Sequence, residues 1–513
     1  MVLIPLVLSA AVLLPGEPPD GADLGRRLSA MLDTALAKSA RRMDDGSRAY
    51  APDADCVYRA AWLRDFAYMA ESGRVPVEDV VRGAKMFLGA VSERGEGVDC
   101  IKFDGTRVYR PGYGSMGEKA VADGSPFTVS LASLAWRQSG ERAFIEAPLL
   151  DIAVRAFDAI PSDPSGSGLV WIDPDRDWER CPYGFTDGVR KTGCCLFTSL
   201  LTYEAGRRLE EMLASAGRTN AATRVRRRTE RIAASVNARL WDETAGLYRA
   251  ASARCREHDV WGSAFAVWLG VAPAARADRI AGVFKENYAG LVSRGQVRHL
   301  LPGVYWECAP DVARDTYQNG AFWGTATGWF AGTLARIDRP LALRTIADLV
   351  TDYERNGACE WHFGGTRACN GGYPANLALP LAAVERVFRT EDGRCGSAGW
   401  SLNYGGRRTE EWTKALCEAF ALIRRRCPKA KIVWRTSTPL NDPAKAPRVR
   451  ELNAAAAEVV AGQDGIAVDD LFAAMDPLDR AANWSDPFHF NAEARKIQAK
   501  QVAASCLTAA GLK

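Results

Sequence analysis

Apolar residues recur at helical spacing along the chain from about Leu24 to Val387. This spacing predicts about eleven helices, whereas the apolar–polar alternation that marks a strand is rare. The number is close to the twelve that six helical hairpins require, and the absence of a fixed repeat period argues against a solenoid. The predicted spans are 24–42, 76–93, 127–139, 145–159, 192–216, 219–240, 259–270, 274–287, 318–337, 340–354 and 374–388.

The segments between these helices are long at 96–126, 161–191, 291–317 and 355–373, and they are rich in Trp, Tyr, Gly and acidic residues. Loops of that length in a compact domain are commonly functional. Tyr305-Trp306-Glu307 places an aromatic face beside a carboxylate, which is the chemistry of a sugar site. For each Trp, a buried core position is the alternative.

The pattern changes after about Thr390. Lys431 to Thr438 is a β-branched run ended by Pro439, and 466–468 predicts a second short strand, while 409–427 and 447–461 are typical of helices. Alternating strand and helix indicates a small α/β unit. We therefore expect an N-terminal segment at 1–20, a helical domain at 21–390 and an α/β unit at 391–513.

The chain has 513 residues, of which 47% are hydrophobic and 25% charged, as in globular proteins. A net charge of +4 gives no reason to expect nucleic acid or a membrane as partner. Residues 2–14 form an apolar run of secretory length, and thirteen Cys suit an oxidising compartment, so we expect an extracytoplasmic protein. No basic residue precedes the run, so a plain hydrophobic N-terminus is the alternative. Four His and no Cys-x-x-Cys predict neither a metal site nor a cofactor.

Four motifs concentrate candidate site residues. Trp62-Leu63-Arg64-Asp65 offers a donor fork, an acceptor and an aromatic face to a sugar, with a surface ion pair as the alternative. The loop 183–193 carries Asp187 toward a predicted helix, where capping is the alternative role. The others are 317–323, which opens a helix, and 356–362 with Glu360, followed by 371–376.

In this order the motifs resemble those of the six-hairpin glycosidases, which include glucoamylase-like enzymes and metal-independent mannosidases, over residues 50–388. The resemblance implies a mainly α fold, an (α/α)6 barrel, and hydrolysis of a carbohydrate substrate without a cofactor. It makes Asp187 the general acid, with Glu307 in reserve, and Glu360 the base. The substrate contacts it implies are Trp62, Arg64, Asp65, Tyr183, Trp306, Gln318, Asn319, Trp323 and Trp361.

An inverting reaction would follow, with Asp187 protonating the leaving oxygen and Glu360 activating water, the carboxyls lying ~6.5–9.5 Å apart. Arg190 and Lys191 nearby would lower the pKa of Asp187, which opposes the acid role. One alternative function is a carbohydrate-binding protein that has lost catalysis. Another is a polysaccharide lyase, which would use a Tyr or His in a basic cleft.

The C-terminal unit resembles the last part of an SGNH hydrolase. Asp486 and His489 match its Asp-x-x-His block, and Asn403 matches its oxyanion block loosely. A nucleophilic Ser in a Gly-Asp-Ser context is missing from the short stretch before Asn403, which has no room for a strand and a crossover helix. We therefore expect an incomplete unit without esterase activity. A full esterase that uses Ser397 or Ser401 is the alternative.

Overall fold

The computed structural model describes residues 21–511, except for 177, 369–371, 389–408, 410–412, 414–415, 418–419, 422, 425–429, 443–445 and 486–489. The chain divides into two compact units, Met1–Arg389 and Thr390–Lys513. The apolar run at 2–14 lies outside the described residues, so export stays a prediction. Within the described ranges, no helix combines the length and the apolar character needed to cross a bilayer.

The first unit is mainly α-helical, as the periodicity predicts. Two helices begin at an Asp that accepts a backbone N–H: Asp259 caps α8 through Gly262, and Asp338 caps α12 through Leu341. The helices are α1 (Gly21–Ser39), α2 (Leu63–Glu71), α3 (Val77–Gly89), α4 (Gly124–Ser139), α5 (Leu149–Asp158), α6 (Leu196–Ser215), α7 (Thr219–Arg239), α8 (Val260–Trp268), α9 (Ala274–Glu286), α10 (Tyr288–Leu291), α11 (Thr327–Leu334), α12 (Arg339–Asn356) and α13 (Ala375–Ala383).

Six of these helices form a closed inner ring. Along the chain, α2 packs on α4, α4 on α6, α6 on α8, α8 on α11 and α11 on α13, and α13 returns to α2. Helices α1, α3, α5, α7, α9 and α12 alternate with them in sequence and pack against the inner helices from outside. Six inner and six outer helices make an (α/α)6 barrel, so the predicted fold class is confirmed.

Side-chain character separates the two rings. Inner helices are buried over most of their surface: α8 is buried from Val260 to Ala266. Outer helices are amphipathic, and α7 buries Val225, Ile232 and Val236 while its run of arginines faces solvent. Arg228 is the exception, since it is half-buried and donates to Phe157 O at 2.8 Å.

Two helix predictions need correction. The periodicity did not predict α2, because nine residues carrying Arg64, Asp65 and Glu71 do not show an apolar stripe, although the helix is almost wholly buried. The predicted helix 318–337 begins only at Thr327, since its first part forms a strand, Phe322–Trp323.

Short strands connect the helices at the entrance to the ring. The largest sheet has the antiparallel order β10-β11-β12-β13-β14, in which Trp323 pairs with Trp361. The strands are β1 (Ala40–Arg42), β2 (Arg48–Tyr50), β3 (Ala60–Trp62), β4 (Cys100–Lys102), β5 (Arg107–Val108), β6 (Trp171–Ile172), β7 (Gly193–Cys194), β8 (Trp241–Asp242), β9 (Leu247–Tyr248), β10 (Val292–Ser293), β11 (Gln296–Arg298), β12 (Phe322–Trp323), β13 (Trp361–Phe363) and β14 (Thr366–Ala368).

The topology decides where the motif loops meet. An outer helix separates each inner helix from the next, so all inner helices run in the same direction. Loops that lead into inner helices therefore gather at one end of the barrel. The four motifs lead into α2, α6, α11 and α13 in that order, and this is the end at which the site is built.

The second unit contains the two predicted strands, β15 (Ile432–Arg435) and β16 (Ile466–Asp469), which pair in parallel. Its helices are α14 (Ala446–Ala461), α15 (Leu471–Met475), α16 (Arg480–Asn483) and α17 (Ala492–Ala510). The α/β character is as predicted. Asn403, Asp486 and His489 lie outside the described residues, so the resemblance to an SGNH hydrolase and the lack of esterase activity stay predictions.

Candidate active site

A buried ion centre lies at the base of the site. Arg64 at the start of α2 is 4% exposed, and its Nη2 pairs with Asp99 while its Nε donates to Asp123 Oδ2 at 3.2 Å. Asp123 Oδ2 also accepts the Gly184 N–H at 2.9 Å. Gly184 is required here, because a Cβ would lie 1.9 Å from Arg64 Cζ. Since Nε and Nη2 of Arg64 are engaged inside the protein, they are not a donor fork for a sugar.

Asp65, the neighbour of Arg64, faces a different partner. It is 3% exposed, and its Oδ1 accepts the Tyr373 hydroxyl at 2.8 Å. Burial raises the pKa of Asp65 to about 7, although the Arg64 charge acts in the opposite direction. The carboxyl is thus held at the entrance to α2, opposite the loop that leads into α13.

Glu360 lies immediately before β13 and is 3% exposed. The Tyr58 hydroxyl donates to its two carboxylate oxygens at 3.0 and 2.9 Å. Asn376 at the start of α13 fixes the backbone by donating to the carbonyls of Cys359 and Glu360 at 2.8 and 2.9 Å. Burial, together with the nearby charges of Asp65 and Asp187, raises the pKa of Glu360 to about 8, although the hydrogen bond from Tyr58 acts in the opposite direction.

Asp187 lies at the end of a short 3₁₀ turn, Gly184–Thr186, that follows the ion centre. Gln318 Nε2 donates to its Oδ1 at 2.7 Å. Burial raises the pKa of Asp187, which outweighs the hydrogen bond from Gln318 and the charge of Arg64. The raised pKa suits a general acid.

The helix-capping alternative for Asp187 is wrong. Helix α6 begins at Leu196, and its N-cap is Cys195. The objection from neighbouring cations also fails: the Lys191 ammonium donates to the Thr186 hydroxyl at 2.6 Å, and Arg190 lies 3.9 Å from Asp311. Burial is therefore the largest influence on the pKa of Asp187.

Two tyrosines lie near both carboxylates. Burial raises the pKa of Tyr58 and of Tyr317, and the charges of Glu360 and Asp187 act on both in the same direction. Tyr317 has a left-handed φ of 41°, and its ring lies 5.1 Å from that of Trp323 and 6.3 Å from that of Trp361. A strained backbone of this kind is typical of functional sites. Asp187 and Glu360 therefore border one site.

The aromatic residues divide into site and core positions. Trp361 is half-buried and stays a candidate sugar platform. Trp62 is 7% exposed but contacts Tyr58, the hydrogen-bond partner of Glu360, and Tyr113 edge to face at 5.8 and 5.3 Å, so it stays one too. Trp323, Trp306 and Tyr183 belong to the core instead. They are 0%, 5% and 1% exposed, and their polar atoms bond to Tyr317 O, Gln318 O and the Tyr68 hydroxyl.

Two polar side chains that were predicted to contact the substrate form hydrogen bonds with protein groups instead. Gln318 is fully buried between Asp187 and Gly188. Asn319 Oδ1 accepts the Trp306 N–H at 3.0 Å, and its Nδ2 donates to Val312 O at 3.0 Å. Both amides therefore shape the loops around Asp187, which corrects their prediction as substrate contacts.

Glu307 is exposed, and its carboxylate accepts the Cys255 N–H at 3.1 Å. It is not among the charges that act most strongly on Asp187, Glu360, Tyr58 or Tyr317. The structure does not bring it into the carboxylate cluster, so Asp187 is preferred as the acid.

Sequence reasoning missed Tyr58, Tyr373, Asp99 and Asp123. Tyr373 lies in the motif segment 371–376, and Tyr58 lies four residues before the motif that begins at Trp62. Both could therefore have been included as neighbours of these motifs. The two aspartates lie in the long segment 96–126 and belong to no motif. Across the described part of the chain, no group of three or more His, Cys, Asp or Glu side chains is placed to hold a metal ion.

Comparison with known proteins shows the fold. No family model matches the sequence, and no curated protein matches it. Among solved structures, the GH63 mannosylglycerate hydrolase of Thermus thermophilus, in complex with glucose, matches with a TM-score of 0.51 and 16% identity over 70% of this chain and 99% of its own.

A rhamnosidase from Klebsiella oxytoca with rhamnose bound gives a TM-score of 0.51 and 16% identity over 71% of this chain and 64% of its own. A metal-independent α-mannosidase of Streptococcus pneumoniae, in complex with α-1,6-mannobiose, gives a TM-score of 0.50 and 12% identity over 71% of this chain and 94% of its own. At these identities the likeness establishes the shared barrel architecture.

The ion centre yields a stability prediction. Arg64→Met leaves Asp99 and Asp123 buried without their cation, so we expect the free energy of unfolding to fall by about 3–5 kcal/mol. The matched control is Arg74→Met, which removes the exposed Arg74–Asp33 pair and should cost about 0–1 kcal/mol. Denaturant unfolding measures both, and equal small losses would contradict a structural role for Arg64.

Proposed function

We propose that the first unit is an inverting glycoside hydrolase in which Asp187 is the general acid and Glu360 the general base. The observation that carries the proposal is the pair itself. Two carboxyls on separate loops, both with pKa values raised by burial, border one site at the end of the barrel. Glycosidic hydrolysis needs one proton donor and one base on opposite sides of the scissile bond, and it needs no cofactor.

The shared architecture supports this chemistry by analogy. The three barrels described above belong to a mannosylglycerate hydrolase, a rhamnosidase and an α-mannosidase. An analogy of fold does not carry a substrate with it, so the sugar and the linkage are not assigned.

In the proposed reaction Asp187 gives its proton to the leaving oxygen as the glycosidic bond breaks. Glu360 takes a proton from water, whose oxygen attacks the anomeric carbon from the opposite face. Tyr58 donates to both oxygens of Glu360 and so favours its ionised form. The proposed reaction gives the remaining residues of the site the role of sugar contacts: Asp65, Trp62, Trp361 and Tyr317.

The alternatives fit the site less well. A protein that only binds carbohydrate needs acceptors for sugar hydroxyls, but it has no use for carboxyls whose pKa values are raised by a burial that is itself costly. A lyase acting on acidic sugars needs a basic cleft, whereas Asp65, Asp187 and Glu360 make this site acidic.

Removal of either carboxyl should nearly abolish turnover. We expect Asp187→Asn and Glu360→Gln each to lower kcat by ~10²–10⁴-fold with the fold intact, because a positioned acid or base contributes about that factor. The control is Asp278→Asn, an exposed carboxyl on the outer helix α9. Aryl α-glucosides, α-mannosides and α-rhamnosides form the first substrate panel, with circular dichroism to verify folding.

Glu307→Gln tests the competing acid in the same assay. If that variant loses activity while Asp187→Asn keeps it, the acid is Glu307. Near-normal turnover in Glu360→Gln would exclude Glu360 as the base.

The raised pKa values also predict the pH dependence. The enzyme reacts only while Asp187 and Glu360 together carry one proton. Loss of that proton from the pair therefore sets the alkaline limb of the pH profile. Since the charge of Asp187 already contributes to a Glu360 pKa of about 8, that proton should leave near pH 8. We expect kcat/KM to be bell-shaped, with its alkaline limb near pH 8; an alkaline limb below about pH 6 would contradict this account.

The Asp187→Asn variant is the matched test of that limb. With no acid left to deprotonate, its residual rate on a glycosyl fluoride should rise to a plateau at alkaline pH, because only Glu360 must be ionised. A profile that still falls near pH 8 would mean that another group supplies the alkaline limb.

A further inference from the structure

We infer that Gln318 is a positioning residue that makes Oδ2 of Asp187 the oxygen that delivers the proton. The inference rests on the proposed function, since it concerns the same acid. Gln318 is fully buried and uses both ends of its amide on the acid turn, residues 184–191. It was predicted to contact the sugar, but its position indicates control of the acid.

The orientation of the amide follows from one backbone group. The Gly188 N–H can only donate, and it lies 2.8 Å from Gln318 Oε1. The oxygen of the amide must therefore face Gly188, and the NH₂ group must face Asp187. A flipped amide would place two donors against each other.

The state of Asp187 follows from the amide. Gln318 Nε2, which has no acceptor lone pair, lies 2.7 Å from Asp187 Oδ1. Oδ1 accepts this hydrogen bond, and the Gly188 N–H also acts on the carboxyl, so Oδ2 is the oxygen that we assign to carry the proton. The general acid then presents its proton from one oxygen and in one direction, which is the alignment that proton transfer requires.

Gln318 is itself held by a platform loop, residues 305–320. Its backbone carbonyl accepts the Trp306 indole N–H at 2.8 Å, and the Arg190 N–H donates to Cys308 O at 3.0 Å. Gly188 lets the two segments touch, because a Cβ there would lie 2.5 Å from Val312 Cγ2. The platform loop and the acid turn therefore fix Gln318 and Asp187 as one assembly.

Two variants separate positioning from folding. Gln318→Leu removes both hydrogen bonds of the amide, whereas Gln318→Glu keeps an acceptor for Gly188 and replaces the amide donor by a second carboxyl that shares a proton with Asp187. The matched control is Gln296→Leu, which removes another buried Gln–Asp hydrogen bond, from Gln296 Nε2 to Asp352 Oδ2 at 3.2 Å, together with the one that Gln296 Oε1 accepts from Cys359 Sγ at 3.5 Å. Thermal unfolding of all three reports the structural cost.

The readout compares two leaving groups of the sugar that the wild type accepts. An alkyl glycoside needs its leaving oxygen protonated, whereas a glycosyl fluoride depends far less on the acid. We expect both Gln318 variants to lower kcat on the alkyl glycoside by ~10–100-fold, a part of the full contribution of an acid, with KM within about twofold. The fluoride should be cleaved at nearly the wild-type rate, and Gln296→Leu should leave the ratio of the two rates unchanged.

The pH profile gives a second readout that a purely structural role would not move. The hydrogen bond from Gln318 lowers the pKa of Asp187, so its loss in Gln318→Leu should move the alkaline limb to higher pH. Equal losses on both substrates with an unmoved limb would overturn the inference.

A substrate-free measurement keeps the two hypotheses apart. Carbodiimide labelling of Asp187 with glycinamide, followed across pH by peptide mass spectrometry, should show a higher midpoint in Gln318→Leu than in the wild type. An unchanged midpoint refutes the role of Gln318 even if the enzyme is active. Wild-type protein that cleaves neither glycosides nor fluorides refutes the proposed function, and the labelling result still decides the role of Gln318.

Discussion

The site depends on the buried contact of Arg64 with Asp99 and Asp123. The Arg64 guanidinium links the start of α2 to Asp99, directly before β4, and to Asp123, directly before α4. Through Asp123 and the close approach of Gly184 it also fixes the start of the acid turn. Breaking a buried ion pair costs much free energy, because it leaves a buried charge without its partner. The turn that carries Asp187 is therefore fixed to the inner helices.

Burial then sets the chemistry of the other carboxyls. Asp65, Asp187 and Glu360 are taken out of water by the same packed loops, and in each case burial is the largest influence that raises the pKa. Each also lies near further acidic groups. Tyr373, Gln318 and Tyr58 supply one hydrogen-bonding side chain to each carboxyl in turn. A site of this kind can keep a proton on a carboxyl near neutral pH, which is what acid catalysis needs.

The sequence predicts the outer helices and most of the inner ones, because long amphipathic or apolar stretches carry their own periodicity. It also places Asp187 and Glu360 on loops that lead into inner helices. Helix α2 escaped prediction because its buried charges are paired by distant residues. The sequence predicted sugar contacts for Arg64, Trp306, Gln318 and Asn319. Their polar groups instead bind protein groups 7 to 131 positions away. Residue type alone does not distinguish a donor for a ligand from a donor for a loop.

The most direct test of the central claim is the stereochemistry of the product. Proton NMR of the first moments of hydrolysis, on the aryl glycoside that the wild type cleaves fastest, shows which anomer is released before mutarotation. The account predicts the inverted anomer, since Glu360 activates water on the face opposite Asp187. Release of the retained anomer would contradict it, because one of the carboxyls would then have to attack the sugar directly.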